Sequence, residues 1–165
     1  PVLAAIGGMA LPDAVYVTVV LLAGDPQQVA EAESSGGGSC GIVLLASGSG
    51  TLAQSVLDAA AAGDCPYRVI ALVSDRDCEA VARADRAGIS TAVIRPGDHP
   101  DRAAWDLALA EAVARFAPDW VVSAGFMKVL GPVVLGAHSV VNTHLALLPS
   151  FPGAHAVRDA LAHGV

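Results

Sequence analysis

The sequence predicts an α/β protein with a Rossmann-like, mainly parallel sheet and crossover helices. Short, continuously apolar runs are typical of strands that are buried on both faces, and here they alternate with helical patterns. Strands that alternate with helices pair in parallel, because each crossover helix returns the chain to the same end of the sheet. The predicted strands are 42–46, 68–73, 91–94, 120–124 and 139–143, and the predicted helices are 52–62, 78–87, 101–116 and 155–162.

Glycines and apolar spacing set the bounds of these helices. Gly63 and Gly88 follow the first two helices, where glycine commonly ends a helix. The third helix is the clearest, and its polar residues Arg102, Asp106 and Glu111 are expected to face water. Its apolar residues, which recur at helical spacing, are Trp105, Leu109, Val113 and Phe116.

Residues 1–39 differ in composition from the rest of the chain. The apolar stretch Val15–Leu22 could form a strand, but Glu31–Ser39 has the Gly/Ser-rich composition of a linker. We therefore expect residues 1–39 to be a flexible or unrelated lead-in and residues 40–165 to form the folded domain. A helical pattern has barely ended at Val165, so we expect this domain to be truncated at its C-terminal end. The fifth predicted strand would then lack a neighbour and leave an exposed sheet edge.

Composition and charge exclude several classes of partner. The 165 residues are 54% hydrophobic and 15% charged, and the net charge is -7 without a basic cluster, so we expect no nucleic-acid partner. The longest apolar run, Val15–Ala23, is too short to span a bilayer, so no membrane association is expected. Three cysteines without a CxxC pair argue against a disulfide framework or a metal site and favour a cytoplasmic location.

The segment Ser47–Thr51 lies between the first strand and the first helix. Its glycines allow a sharp turn and a close ligand approach, and the N–H groups at the helix start favour phosphate. It is not a Walker A motif, because no Gly-Lys-Ser/Thr follows, and Ala53 stands where a GxGxxG motif has its third glycine. The alternative is an ordinary turn between a strand and a helix.

Two more strand ends carry candidate chemistry. The apolar residues of Gly125–Leu130 could wall a pocket for a flat ring, although a core-facing loop is the alternative. Asn142 and His144 are two residues apart on a strand, so their side chains are expected on one face. Asparagine can polarise a carbonyl oxygen and histidine can move protons near neutral pH, a combination that suits acyl transfer. A structural histidine is the alternative.

Taken together, these motifs resemble one family. Ser47–Thr51, Ala124–Leu130 and Asn142–His144, which leads into Leu147–Pro149 and Phe151–Gly153, occur in the order seen in glycinamide ribonucleotide formyltransferases. The resemblance runs from about Gly41 to the end of the chain and implies the formyltransferase fold. It also implies transfer of a formyl group from 10-formyltetrahydrofolate to the amine of glycinamide ribonucleotide in purine biosynthesis, with no metal, by a monomer or homodimer.

The resemblance also implies roles for individual residues. Asn142 would bind the formyl oxygen as well as the folate, and His144 would donate a proton to the tetrahedral intermediate. The residues implied for the ribonucleotide phosphate are Gly50, Thr51 and Leu52. Those implied for the folate, besides Asn142, are Arg102, Met127, Lys128, Val129 and Leu130.

This sequence departs from the family at four places. Leu52 stands where asparagine is usual, so only its backbone contact carries over, and Lys128 replaces an arginine, which keeps the charge but loses the planar fork. Leu145 replaces the proline that follows the histidine, which frees the backbone there. The aspartate that orients the histidine in the family would lie downstream of Val165.

Other functions remain open at this level. A formyltetrahydrofolate hydrolase or a methionyl-tRNA formyltransferase would share an Asn-x-His-like motif on a similar sheet. Asp75, at the end of the second predicted strand, could bind ribose hydroxyls in a dinucleotide site, although the missing third glycine disfavours this. An inactive, truncated copy that still binds its ligands is a further alternative.

Overall fold

The computed structural model describes residues 18–23, 39–63, 65–144, 150–151 and 155–164, with 18–23 and His144 described by their backbone. Within this part of the chain, six strands form one sheet. In chain order they are β1 (Thr18–Ala23), β2 (Cys40–Ala46), β3 (Tyr67–Ser74), β4 (Ser90–Val93), β5 (Trp120–Ser123) and β6 (Val140–His144).

The helices flank this sheet. They are α1 (Thr51–Ala62), α2 (Glu79–Arg86), α3 (Arg102–Ala114), α4 (Pro132–Ala137) and α5 (Ala156–Ala162), with a 3₁₀ turn at Pro96–Asp98. Gly63 caps the end of α1 at a φ of 80°, and Gly88 lies just beyond α2 at a φ of 71°, a left-handed conformation that favours glycine. The predicted elements are therefore confirmed to within a few residues at each end.

The strand order is β1-β6-β5-β2-β3-β4, and β2 to β6 are all parallel. The order runs outward in both directions from β2, which pairs with β3 on one side and β5 on the other. The crevice between the carboxyl ends of β2 and β5 is thus the switch point at which open parallel sheets bind ligands. The predicted fold class is confirmed.

A hydrophobic core covers each face of the sheet, because alternate strand residues point to opposite sides. Leu44 of β2, Val122 of β5 and Val141 of β6 pack with α1 and α2 on one face. On the other face, Val43 and Val121 pack with α3, whose Trp105, Leu109 and Val113 are fully buried. The sheet is held between these two layers, which fixes the positions of its strand ends.

β1 lies along the outer side of β6. It pairs antiparallel to that strand, with Thr18 opposite His144 and Val20 opposite Asn142. The edge of β6 that was expected to be open is therefore paired. The Gly/Ser-rich segment lies outside the described residues, and the division of the chain at residue 40 stays a prediction.

Asp106 of α3 differs from the prediction that it faces water. Its side chain is buried and accepts hydrogen bonds from the backbone N–H groups of Gly131, at 3.0 Å, and Val133, at 2.8 Å. These N–H groups belong to the first turn of α4, where a helix has no internal acceptors. Asp106 therefore caps a neighbouring helix, whereas Arg102 and Glu111 are exposed as predicted.

No helix in the described part of the chain combines the length and the apolar character needed to cross a membrane.

Candidate active site

The carboxyl ends of β2 and β5 are joined directly at the switch point. The N–H of Ser47, after β2, donates to the carbonyl of Gly125, after β5, at 3.2 Å. The Ser47 hydroxyl in turn accepts from the N–H of Met127 at 2.9 Å. These bonds connect the predicted phosphate turn to the predicted folate loop, so the two segments form one edge of the crevice.

The turn at Ser47–Gly50 is shaped by close packing against α2. Gly50 has a φ of 68°, and a Cβ atom at this position would lie 2.6 Å from the Cα of Ala80. The N–H of Ala80 donates to the carbonyl of Gly48 at 3.0 Å, which holds the turn against the start of α2. Only glycine fits at position 50, because any other residue would add both a clash and a strained φ.

The three residues predicted to bind phosphate lie at the start of α1. Gly50 is the N-cap, Thr51 is exposed, and Leu52 is half-buried against the core on the α1 face. The first N–H groups of a helix lack internal acceptors and carry the positive end of the helix dipole. This geometry suits an anion, with Leu52 offering its backbone rather than its side chain, but phosphate binding itself stays a prediction.

The loop after β5 presents apolar side chains to solvent. Gly125 turns the chain at a φ of 79°, and Phe126 points inward and stacks on Trp105 with 6.4 Å between ring centroids. Met127 and Val129 are 69% and 82% exposed, whereas Leu130 is half-buried against the core on the α3 face. Exposed apolar residues beside a sheet crevice fit the predicted role in binding a flat ring.

Arg102 contacts the same loop from the start of α3. Its guanidinium donates a hydrogen bond to the carbonyl of Val129 and lies 4.5 Å from the centre of the Trp105 ring. Arg102 is exposed, so this cation-π contact contributes at most about 1 kcal/mol. The predicted folate residues Arg102 and Val129 are thus brought together, although their contact with a folate stays a prediction.

A buried carboxylate lies behind Lys128. The Asp75 side chain is 1% exposed, bonds to Arg76 at 2.8 Å and lies 3.9 Å from the ammonium of Lys128. Burial alone would raise the pKa of Asp75, but hydrogen bonds from Arg76 and Ser47 and the charges of Arg76 and Lys128 lower it below its ordinary value. Asp75 is therefore ionised and enclosed by its partners, an arrangement that disfavours a role in binding ribose hydroxyls.

Asn142 and His144 both belong to β6, as predicted. Asn142 is half-buried and is in register with Ser123 of β5, whose carbonyl accepts a hydrogen bond from the Thr143 hydroxyl at 2.9 Å. The side chain of His144 and the whole of Leu145 lie outside the described residues. The predicted meeting of the Asn142 and His144 side chains therefore stays a prediction.

Sequence reasoning missed the residues that connect these segments. The sequence pattern places Ser47 in a turn, whereas in the structure its hydroxyl contacts the loop after β5, and Asp75 is the partner of Lys128. The signal for both was a polar residue directly after a buried strand. Among the described residues, no group of three or more His, Cys, Asp or Glu side chains is placed to hold a metal ion.

Comparisons with known proteins identify relatives that share this sequence and fold. Residues 40–165 match the family model described as formyl transferase. The chain is 52% identical over 126 residues to the phosphoribosylglycinamide formyltransferase of Mycobacterium tuberculosis (strain CDC 1551 / Oshkosh), covering 75% of this chain and 58% of that enzyme. The corresponding enzyme of Escherichia coli (strain K12) is 36% identical over 126 residues, covering 74% of this chain and 59% of that enzyme.

A solved structure gives the same result for the fold. Glycinamide ribonucleotide transformylase 1 from Symbiobacterium toebii superposes with a TM-score of 0.73 at 42% identity, covering 76% of this chain and 61% of the other. The chain thus spans 58% to 61% of the length of these relatives. All of these similarities concern the portion of the chain that contains the crevice.

Proposed function

Because the chain belongs to the formyl transferase family, we propose that it transfers a formyl group from 10-formyltetrahydrofolate to the amine of glycinamide ribonucleotide. The names of its relatives support this substrate pair over hydrolysis of formyltetrahydrofolate or formylation of methionyl-tRNA. The reaction would belong to de novo purine biosynthesis in the cytoplasm, and the active protein would be a monomer or a homodimer.

The observation that carries this proposal is the direct connection between the two predicted substrate segments. Ser47 begins the phosphate turn and binds the backbone of Met127 in the folate loop. A ribonucleotide at the start of α1 and a folate at the loop after β5 would then meet near the end of β6. Holding two reactants in one geometry removes much of the entropic barrier to their reaction.

The proposed mechanism uses Asn142 and His144 at that meeting point. The substrate amine attacks the formyl carbon, and negative charge develops on the formyl oxygen. Donors placed at this oxygen stabilise the tetrahedral intermediate, which is the role proposed for Asn142 together with protonated His144. A bound water, with the carboxylate that the family resemblance implies, would relay the proton from the amine to the tetrahydrofolate nitrogen, which leaves as its bond to the formyl carbon breaks.

The test is formyl transfer by the complete gene product and by its His144→Ala variant. Loss of a proton-transferring group typically costs roughly 100- to 10,000-fold in rate, so we expect a loss within that range. His138→Ala is the matched control, because His138 precedes β6 and so lies at the amino end of this strand, away from the carboxyl end that carries His144. Near wild-type turnover in the His144 variant would overturn the proposed role.

The same assay separates the alternatives. Release of formate from 10-formyltetrahydrofolate without glycinamide ribonucleotide would support a hydrolase. Binding of both ligands without turnover by the complete gene product would support an inactive copy. Binding of NAD, without binding of either the folate or the ribonucleotide, would support the dinucleotide-binding hypothesis, which the enclosed Asp75 carboxylate disfavours.

A further inference from the structure

Asp75 stands at the centre of the contacts that join the two substrate segments, yet the family resemblance gives it no role. It follows β3 directly, as Ser47 follows β2, and the preceding residues Ser74 and Ala46 are in register. The two side chains therefore emerge next to each other at the carboxyl edge of the sheet. At 1% exposure, the Asp75 carboxylate is almost fully removed from water.

The hydrogen bonds at this position run in one direction. The Met127 N–H donates to the Ser47 hydroxyl at 2.9 Å, so the single hydroxyl hydrogen of Ser47 remains to interact with the Asp75 carboxylate, whose pKa this hydroxyl lowers. The carboxylate thus lies at the end of a series of contacts that begins at the backbone of the loop after β5. Bonds that end on a charged acceptor are stronger than neutral ones, so the carboxylate stabilises the whole chain.

The same carboxylate attracts a side chain of that loop. The Lys128 ammonium lies 3.9 Å from Asp75, although the Lys128 side chain is 35% exposed and has solvent within reach. The neighbours of Lys128 on both sides, Met127 and Val129, expose their apolar side chains. The charged side chain of Lys128 is therefore turned inward to Asp75, while the apolar side chains on either side of it face solvent.

From these contacts we propose that Asp75 is a positioning residue, which couples the Ser47–Gly50 turn to the Met127–Leu130 loop and fixes the Lys128 ammonium. This inference rests on the proposed function, because it assigns Asp75 the task of holding the folate loop in its binding conformation. Asp75 acts through Lys128 and Ser47 and does not itself contact the folate. Its removal is expected to alter folate binding more than ribonucleotide binding.

Asp75→Asn is the first test, because asparagine keeps the shape and a hydrogen-bond acceptor but loses the charge. Hydrogen bonds to charged groups are stronger than neutral ones, so the loss of the charge should accelerate amide hydrogen exchange across residues 127–130 about tenfold or more. Asp77→Asn is the matched control, since Asp77 is 71% exposed and pairs with Arg95. Equal exchange at residues 127–130 in the two variants would overturn the coupling, whether or not the chain binds a folate.

Binding of tetrahydrofolate to the complete gene product is the second measurement. Asp75→Asn and Lys128→Met should each weaken binding about tenfold, in line with the loss of one charge-assisted contact. The double variant should be no weaker than either single one, because both changes break the same arrangement. Fully additive losses of affinity would show that Asp75 does not act through Lys128. General destabilisation of the protein by Asp75→Asn would produce such additive losses, so the double variant distinguishes it from positioning.

A negative result has a different meaning in the exchange measurement and in the binding measurement. If the unmodified protein does not bind tetrahydrofolate, the proposed function is wrong, and the exchange experiment still decides whether Asp75 couples the two segments. Ser47→Ala gives an independent arm, because it retains the Asp75 carboxylate and removes the hydroxyl that accepts from the Met127 N–H and interacts with Asp75. It should accelerate exchange at Met127, and unchanged exchange there would contradict the proposed chain of bonds.

Discussion

Arg83 of α2 donates a hydrogen bond from its Nε atom to the backbone carbonyl of Ser49 at 2.8 Å. Its side chain is 27% exposed and also reaches the side-chain oxygen of Gln54 in α1 at 3.4 Å. One guanidinium thus spans the turn before α1 and the helix that follows it. It also brings a positive charge to the segment proposed to hold a phosphate.

We expect Arg83→Gln to weaken the interaction with glycinamide ribonucleotide while leaving that with the folate unchanged. The loss of one partly exposed, charge-assisted hydrogen bond predicts a rise of about three- to tenfold in KM for the ribonucleotide. Arg86→Gln is the matched control, because Arg86 is exposed and binds Glu79 on the same helix. An equal rise in both variants would mean that the effect comes from net charge alone.

Gly50→Ala should destabilise the protein because of its contact with Ala80. The substitution places a methyl group 2.6 Å from a backbone atom at a φ of 68°. Overpacking costs about 1–3 kcal/mol and the strained backbone about 1 kcal/mol more, so the free energy of unfolding in urea should fall by about 2–4 kcal/mol. Gly48→Ala is the control, since its added methyl group would meet no atom within 4 Å. Equal stability of the two variants would contradict this packing.

Asp106→Ala should destabilise the protein by leaving two backbone donors of α4 without their acceptor. Each buried donor without a partner costs about 1–3 kcal/mol, so we expect the two together to lower the free energy of unfolding by roughly 2–6 kcal/mol. Glu111→Ala changes an exposed acid of the same helix and should alter this free energy by less than about 0.5 kcal/mol. A loss for Asp106→Ala as small as that of the control would mean that water replaces the carboxylate.

Stability should also fall at alkaline pH because of Cys40. Burial, together with the charge of Asp119 and a hydrogen bond to it, raises the pKa of the Cys40 thiol from 9.0 to about 11. The unfolded chain releases this proton first, so the folded state loses stability as pH rises from 9.0 to about 11. Urea unfolding across this pH range measures the slope, which should be shallower in Cys40→Ser.

Asp119→Asn separates the effect of burial on the pKa of Cys40 from the effect of the Asp119 carboxylate. Asparagine can still accept the hydrogen bond that the Gly41 N–H donates to Asp119, at 2.7 Å, but it carries no charge. The pKa of Cys40, followed by the rate of alkylation as a function of pH, should therefore fall but stay above 9.0, because burial is unchanged. An unchanged alkylation profile would assign the whole shift to burial.

The features that the sequence predicted are those set by local patterns. Buried strands appear in the sequence as apolar runs. The end of α1 is marked by Gly63, because the residue that ends the helix has a left-handed conformation that favours glycine. The positions of the three strand ends also followed from the pattern, because parallel strands bring their carboxyl ends to one edge.

The features that escaped prediction depend on contacts between distant segments. The periodicity of α3 assigns Asp106 to the polar face of this helix. Only the approach of Gly131 from a distant segment buries Asp106 and makes it the cap of α4. The ion pair of Asp75 with Lys128 likewise joins the end of β3 to the loop after β5. Helical periodicity and motif spacing describe one segment at a time, so they contain no information on such partners.

The pairing of β1 with β6 has a consequence for the order in which the sheet forms. Thr18 lies opposite His144, so this ladder joins segments near opposite ends of the described chain. Among the described strands β1 is synthesised first, yet its partner in the sheet, β6, is synthesised last. Contacts of such large sequence separation form slowly because they close a long loop. Of the six strands that the structure describes, the first to be synthesised is therefore the last that can join the sheet, and until then its unpaired backbone groups are open to pairing with other chains.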